Sequence, residues 1–515
     1  MQPPYSRTLF ELLDEQAHHD RVAVIDRGAT ITYRELATRA QQAAGLLAAR
    51  GVTRGKRVGL LMNNRAEWLE LAFGAWLLGA VVTPFTTWCT KPELEFLLAD
   101  SEVCFLVALA QFGREDYAKI LGELSVPTLH TFMLLDDYAA ARDAAEPLAR
   151  RAPGEGPSAA DDAIILYTSG STSRPKAIAL AHYLVIENGF NIGERQGLGP
   201  QDRVLLSPPL FWTYGGVNAL PATLTHGAAL VLQAQFDAGE AIALTEQHGC
   251  TSIYTLPGMT EAIISHPEFS RERVKTLRTG LTIGSPQDVV KAAEVMGASE
   301  ICNIYGSSET GGNCCVTHHD WPLERRANCQ GLPLPGVELR IVDEQTGAVL
   351  GPNQPGLVEV RGPYVMRGYT ASSSVHNASV FSADGWFGSG DIGQLTDAGE
   401  MVFLGRSTEM IKRAGINVSP AEVEDVLLQH PAVAQAGVVG AASHRGEDII
   451  AFVVPREGAK PTPAELRAHC RAIASSYKVP DRFEIRGSLP TTVTGKLMRK
   501  ELKVAAANLP RAEVS

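Results

Sequence analysis

Two hydrophobic periods alternate along the first 330 residues of the chain. The stretches "TYRELATRAQQAAGLLAARG" (32–51) and "AEWLELAFGAWLLGA" (66–80) carry apolar residues at helical spacing, whereas "RVGLLMN" (57–63) and "VVTPF" (81–85) are apolar runs of strand length. Further strand-like runs follow: "AIILYT" (163–168), "RVLLSPPL" (203–210), "AALVL" (228–232) and "TSIYTLP" (251–257). Strands alternating with helices imply mostly parallel sheets covered by helices, here as two α/β subdomains at about 1–160 and 161–330. From about 331 to 404 the texture changes. "GVELRIVDEQTGAVLGPNQPGLVEVRGP" offers short strands between Gly, Pro and Asn turns, which predicts a small β-barrel or sheet. Beyond it, residues 406–515 read as a compact α+β domain. Ser419-Pro420-Ala421-Glu422 and Thr462-Pro463-Ala464-Glu465 are capping boxes with proline at the first helical position, and "AGVVGA" and "IIAFVVP" between them read as strands.

Length, charge and cysteine usage narrow the function classes. A chain of 515 residues, 45% hydrophobic and 20% charged, buries several cores and is no disordered segment. A net charge of -11 argues against a broad electrostatic grip on nucleic acid, so an anionic ligand must be held by local groups. The start "MQPPYSRTLFELLDE" lacks the apolar core of a secretory signal, and the longest apolar stretch, Leu71 to Phe85, is too short to span a bilayer. A cytoplasmic protein with reduced thiols is the expectation. Cys302, Cys314, Cys315, His318 and His319 lie close in sequence, but adjacent cysteines depart from the spacing of structural zinc sites.

The segment "YTSGSTSRPKAIALAH" (167–182) carries the first candidate chemistry. Gly170 and Lys176 have the separation of a Walker phosphate loop, yet Pro175 stands where the second glycine belongs and Ala177 where the metal-binding hydroxyl belongs. What remains after a buried strand is a turn of hydroxyls, Ser169, Ser171, Thr172 and Ser173 around Gly170, able to donate to phosphate oxygens or to serve as a polar surface loop.

This segment resembles the phosphate-loop signature of the adenylate-forming (ANL) superfamily, in its acyl-CoA synthetase branch, with Ser173 and Ala177 where glycines are usual. The resemblance runs through nearly the whole chain in order: "ITYRELATRA", "PPLFWTYGG", "NIYGSSETGG", "GWFGSGDIG", "GRSTEMIKRAGINVSPAEVE" and "PTTVTGKLMRKEL". It implies a large N-terminal adenylation domain (1–405) and a small mobile C-terminal domain (406–515), and ATP-dependent activation of a carboxylic acid as an acyl-adenylate that is then passed to a thiol. ATP, Mg2+ and coenzyme A are the implied cofactors. The thiol is that of CoA or, alternatively, of a carrier protein, and no fused carrier domain is expected. A sensor that has lost catalysis and a P-loop kinase or hydrolase are the competing classes. Joint retention of Lys496, Asp391, Arg406 and Glu309 argues against the first, and Ala177 against the second.

Residue by residue, the resemblance implies the following roles. Lys496 bridges the carboxylate and the α-phosphate, for which a localised cation on a long stem is suited. Thr168, Ser169, Gly170, Ser171, Thr172 and Lys176 form the phosphate loop; Glu309 binds the metal and Ser308 reaches the α-phosphate. Tyr305 stacks on adenine. Asp391 accepts the ribose hydroxyls, a task suited to two acceptor oxygens. Arg406 contacts ribose or phosphates at a hinge where Thr408 replaces the usual Lys or Asp. Gly415 lies in the loop that meets the pantetheine arm. Phe211, Trp212, Tyr214, Gly215, Thr282, Ile283, Gly284, Gly306, Cys314 and Cys315 occupy acyl-pocket positions, although their aromatics could equally be ordinary core. Trp212, where histidine is common, offers an apolar wall with one N–H donor, so the expected substrate is a compact aromatic, alicyclic or medium-length acid.

Overall fold

The protein is described by a computed structural model covering residues 7–149, 156–168, 175–284, 286–343, 346–406, 411–413, 416–418, 420–443, 446–490 and 497–509. It forms a mixed α/β fold made of two compact units: Met1–Thr87, Leu97–Tyr167 and Ala177–Gly405 form the larger, and Trp88–Phe96, Thr168–Lys176 and Arg406–Ser515 the smaller.

Two helix-covered sheets dominate the larger unit. The nine-stranded sheet runs in the order Leu332–Pro333, Cys315–Val316, Cys302–Tyr305, Thr279–Thr282, Ser252–Tyr254, Arg203–Leu206, Ala229–Leu232, Val22–Asp26, Ala29–Thr32. Its middle is parallel and almost wholly buried, as strands covered on both faces must be. The seven-stranded sheet has the order Tyr369–Thr370, Lys176–Ala181, Asp162–Thr168, Val81–Pro84, Arg57–Leu61, Phe105–Ala108, Thr131–Leu134.

The sheets are not divided at residue 160, as the sequence texture suggests. Val22–Asp26 pairs in parallel with Ala229–Leu232, so an N-terminal strand completes the second sheet, while Asp162–Thr168 and Lys176–Ala181 lie in the first. Hydrophobic period reports which face of a strand is buried but not which strand it pairs with, and this is why the boundary is displaced.

Long helices follow their sequence signals. Thr32 and Glu35 form a capping box at the start of Tyr33–Ala49, whose buried stripe includes Leu36, Ala40, Ala43 and Leu47. Ala66–Leu78 is buried almost all round and ends on left-handed Gly79. The β-rich region is a four-stranded antiparallel sheet in the order Glu338–Val342, Gly356–Arg361, Phe387–Leu395, Met401–Arg406.

In the smaller unit, the strands Ile416–Val418, Ile411–Arg413, Gly446–Pro455 and Val433–Ser443 form a sheet to which Arg482–Ile485 adds in parallel. Helices Pro420–Leu428 and Pro463–Ile473 contribute Val423, Leu427, Leu466 and Cys470 to its core. The Thr462–Glu465 capping box is present, with Glu465 N donating to Thr462 Oγ1 at 3.3 Å. Among the described residues no helix is long and apolar enough to cross a membrane.

Candidate active site

In the larger unit the buried strand Cys302–Tyr305 runs out into a tight turn at Gly306. A Cβ on Gly306 would stand 2.2 Å from the Gly312 carbonyl oxygen, so only glycine allows the chain to fold back this closely. The turn that follows holds itself together. Ser307 N donates to Thr310 Oγ1 (2.9 Å), Gly312 N donates to Ser307 O (2.8 Å), and Ser308–Thr310 forms one 3-10 turn.

Buried amides brace this turn from behind. Asn218 donates to Asn188 Oδ1 (3.0 Å) and to Gly311 O (2.9 Å), and Asn188 donates to Asn313 O (2.7 Å). Asn191 donates to the Tyr364 hydroxyl (2.6 Å), which donates to Pro335 O (2.8 Å). Most of these buried amide groups find partners in one another or in backbone carbonyls, although the Asn218 oxygen and the Asn313 amide nitrogen have no hydrogen-bond partner among the described residues.

Besides Gly306 and Ser308, the predicted site residues Tyr305, Asp391 and Glu309 lie at this framework. Tyr305 donates its phenol to Asp391 Oδ2 at 2.9 Å, and its ring lies 5.9 Å from that of Phe403. Burial first, and the Asp391 carboxylate second, hold the phenol above its ordinary titration range, so it stays a donor. Asp391 itself is buried, its N–H donating to Ser389 Oγ at 3.1 Å. Glu309 is half-buried; its Oε1 accepts from the Tyr369 hydroxyl at 3.0 Å, and no lysine or arginine among the described residues pairs with it. A half-buried carboxylate without a protein cation fits a hard divalent ion that takes its other ligands from phosphate and water.

Ser308 shares a short hydroxyl–hydroxyl hydrogen bond with Thr213, which lies within the predicted acyl segment. Thr213–Ala219 is a π-helical turn, a conformation over-represented at functional sites. Gly215 makes it possible, since a Cβ there would meet Pro209 O at 2.2 Å. Asn64 fixes the approach to this turn: it donates to Leu206 O (3.2 Å) and Pro208 O (3.0 Å) and accepts from Leu210 N (2.7 Å). Phe211 and Trp212 meet edge to face at 6.3 Å. Tyr214 donates to Leu281 O at 2.8 Å, tying the turn to the strand that ends in buried Thr282. Ile283 is 45% exposed just beyond, and Gly284 follows it.

Cys314 and Cys315 are fully buried, and the Cys314 thiol lies 3.6 Å from Tyr305 O, behind Tyr305 and closed to solvent. Burial pushes the Cys302 thiol up to about 12, so it is no thiolate ligand. Thr168 ends its strand with a hydroxyl that is inaccessible to solvent and has no hydrogen-bond partner among the described residues, and Lys176 opens its strand as a buried residue. Ser169, Gly170, Ser171, Thr172, Gly415 and Lys496 lie outside the described residues, as does the side chain of Arg406.

Sequence reasoning passed over Tyr369, Asn64, Thr213 and the asparagine group. Asn188 and Asn191 had a usable signal, since they fall three residues apart on the buried stripe of helix His182–Gln196. Tyr369 in "RGYT" had none.

Comparison with known proteins returns one pattern. Residues 13–370 match the model of the AMP-binding enzyme family and 422–496 that of its C-terminal domain. The chain is 32% identical to a feruloyl-CoA synthase of an Amycolatopsis species, over 93% of this chain and 95% of that one. Among solved structures, o-succinylbenzoate CoA synthetase from Bacillus subtilis, bound with a product analogue, superposes with a TM-score of 0.84 at 27% identity, covering 98% and 100% of the two chains. The amide bond synthetase McbA from Marinactinospora thermotolerans gives 0.85 at 26% identity with the same coverage.

Proposed function

Because the chain belongs to the AMP-binding enzyme family, in the acyl-CoA synthetase branch of the adenylate-forming superfamily, we propose that its site activates a compact aromatic, alicyclic or medium-length carboxylic acid. The enzyme is an AMP-forming acid–CoA ligase using ATP, Mg2+ and CoA. The size class of the acid and the roles of individual residues are our reading. The observation that carries it is the joint presence, on one braced framework, of the buried Tyr305–Asp391 pair and the half-buried Glu309 carboxylate, which no lysine or arginine among the described residues neutralises.

In this reading Asp391 accepts the ribose hydroxyls while Tyr305, fixed by its phenol, presents a ring to adenine. Glu309 would hold Mg2+, which would supply charge neutralisation along the phosphates. Ser308 donates toward the α-phosphate, and Thr168 and Lys176 bracket the phosphate loop, Ser169, Gly170, Ser171 and Thr172. A carboxylate oxygen attacks the α-phosphorus, pyrophosphate leaves, and Lys496 stabilises the charge that accumulates between the two anionic reactants. The CoA thiol then attacks the acyl carbon and AMP leaves; Arg406 and Gly415 serve the ribose and the pantetheine arm.

Trp212, Phe211 and Tyr214 form the acyl wall, with Gly215, Thr282, Gly284 and Gly306 supplying its backbone. The supporting observation is that Tyr214 spends its hydroxyl on the Leu281 carbonyl, which fixes a bulky ring in place. Relatives named for ferulate and o-succinylbenzoate, both compact aromatics, fit the same reading. We take CoA, and not a carrier protein, as the acceptor. We place the enzyme in the cytoplasm, since all eight cysteines are buried free thiols.

An acid panel running from acetate to palmitate, and including benzoate, cinnamate and cyclohexanecarboxylate, tests the reading by formation of AMP and acyl-CoA. Highest kcat/KM is expected for a compact ring acid or a medium chain. Palmitate as the best substrate would overturn the acyl wall.

A further inference from the structure

Tyr369 belongs to none of the motifs that carry the adenylation chemistry, yet its hydroxyl donates to Glu309 Oε1 at 3.0 Å. Its surroundings leave that phenol little freedom. The residue is 6% exposed, and its backbone is held on two sides. On one side it pairs antiparallel with Ile178, next to the Ala177–Thr370 pair, in the strand that follows the hydroxyl-rich loop in sequence. On the other, the Asn377 side chain acts as a stand-in strand, accepting from Tyr369 N (2.7 Å) and donating to Tyr369 O (3.0 Å). Three residues earlier, Met366 N donates to Glu309 O at 2.7 Å, so one segment grips Glu309 by its carbonyl and by its carboxylate.

We propose that Tyr369 is a positioning residue for the metal-binding carboxylate: its phenol fixes the plane of the Glu309 carboxylate and occupies Oε1, so that Oε2 is the oxygen presented to the divalent ion. This rests on the reading of Glu309 as the metal ligand. A glutamate side chain has three rotatable bonds, and a ligand that must find its rotamer at each turnover binds more weakly than one already aimed. Simple packing would need the Tyr369 ring but not its hydroxyl.

The test is Tyr369→Phe, which keeps the ring and removes the donor. Mn2+ binding to the full-length protein saturated with α,β-methylene-ATP, followed by electron paramagnetic resonance, is expected to weaken by about 10- to 100-fold, the usual cost of losing a partner that orients a ligand. The Mg2+ concentration for half-maximal adenylation should rise in parallel, while thioester formation from supplied acyl-adenylate stays within about twofold. Glu309→Gln is measured alongside. Unchanged Mn2+ affinity in Tyr369→Phe, with loss in Glu309→Gln, overturns the role of Tyr369 alone. Unchanged affinity in both overturns the assignment of Glu309 and this inference with it. Should Tyr369→Phe fail to fold, Asn377→Ala, which keeps the phenol but frees its strand, is expected to weaken Mn2+ binding in the same direction. No weakening there would count against the role.

Discussion

The proposed nucleotide side and the proposed acyl side of the larger unit are built on different principles. The Ser307–Gly312 turn is held by directed bonds from buried amides and hydroxyls. The Phe211–Gly215 segment is held by apolar packing, by its own π-helical backbone and by two hydroxyl anchors, Thr213 on Ser308 and Tyr214 on Leu281 O. A buried polar network accepts one geometry, because every missing partner leaves an unsatisfied group behind. Apolar packing accepts substitution of similar volume at small cost. Under the proposed assignment, steps common to every substrate fall to the first wall and discrimination among acids to the second.

That contrast is expected to be sharpest for the groups proposed to meet the nucleotide. Lys496→Ala is expected to slow adenylate formation by about 10²- to 10³-fold, as loss of one preorganised charge does. Transfer from a supplied acyl-adenylate should be largely spared; equal losses in both half-reactions would remove Lys496 from its role. Asp391→Asn should lower kcat/KM for ATP by about 10- to 100-fold, the worth of a hydrogen bond to a charged group, and by the same factor for every acid tested. An acid-dependent loss would break the division between the walls.

Trp212→Ala gives the reciprocal experiment. It should change the ratio of kcat/KM between a compact ring acid and a longer chain by about 10-fold or more, within the range one altered pocket contact provides, with KM for ATP unmoved. Asn218→Ala leaves the Asn188 oxygen and Gly311 carbonyl without a donor in a buried site. A stability loss of about 1–3 kcal/mol, measured by denaturant melting, is expected; no loss would mean that the network is not what holds the turn.

The smallest effect concerns Glu187, on the same helix as Asn188 and Asn191. Burial pushes its carboxyl up to about 7. The folded state thus keeps a proton that the unfolded chain releases near its ordinary 4.5, so stability falls as pH rises from there to about 7, and the full cost persists above. Glu187→Gln should raise the melting midpoint at pH 8 and change it little at pH 5. A gain of the same size at both pH values would rule out ionisation as the cause.

Much of this was legible from local signals. Thr462 and Glu465 lie three residues apart and act within one helical turn, so their box could be read directly and is found. Strand and helix periods placed Arg57–Leu61, Val81–Pro84 and Ala66–Leu78 close to where they lie. The pairing of Val22–Asp26 with Ala229–Leu232 was not legible, since a buried strand carries no mark of its partner. The Tyr369–Glu309 bond escaped for the same reason: two residues 60 positions apart meet only through the folded sheet. The Ser308–Thr213 hydroxyl pair, which joins the two walls, is likewise a product of tertiary packing.

The formation of an acyl-adenylate is tested most directly by following oxygen. A carboxylic acid labelled with 18O in both oxygens, turned over with ATP and CoA, should yield AMP carrying one 18O and unlabelled pyrophosphate, because the attacking oxygen leaves with the α-phosphorus. AMP without label, or label recovered in phosphate alongside ADP, would contradict activation at the α-phosphate.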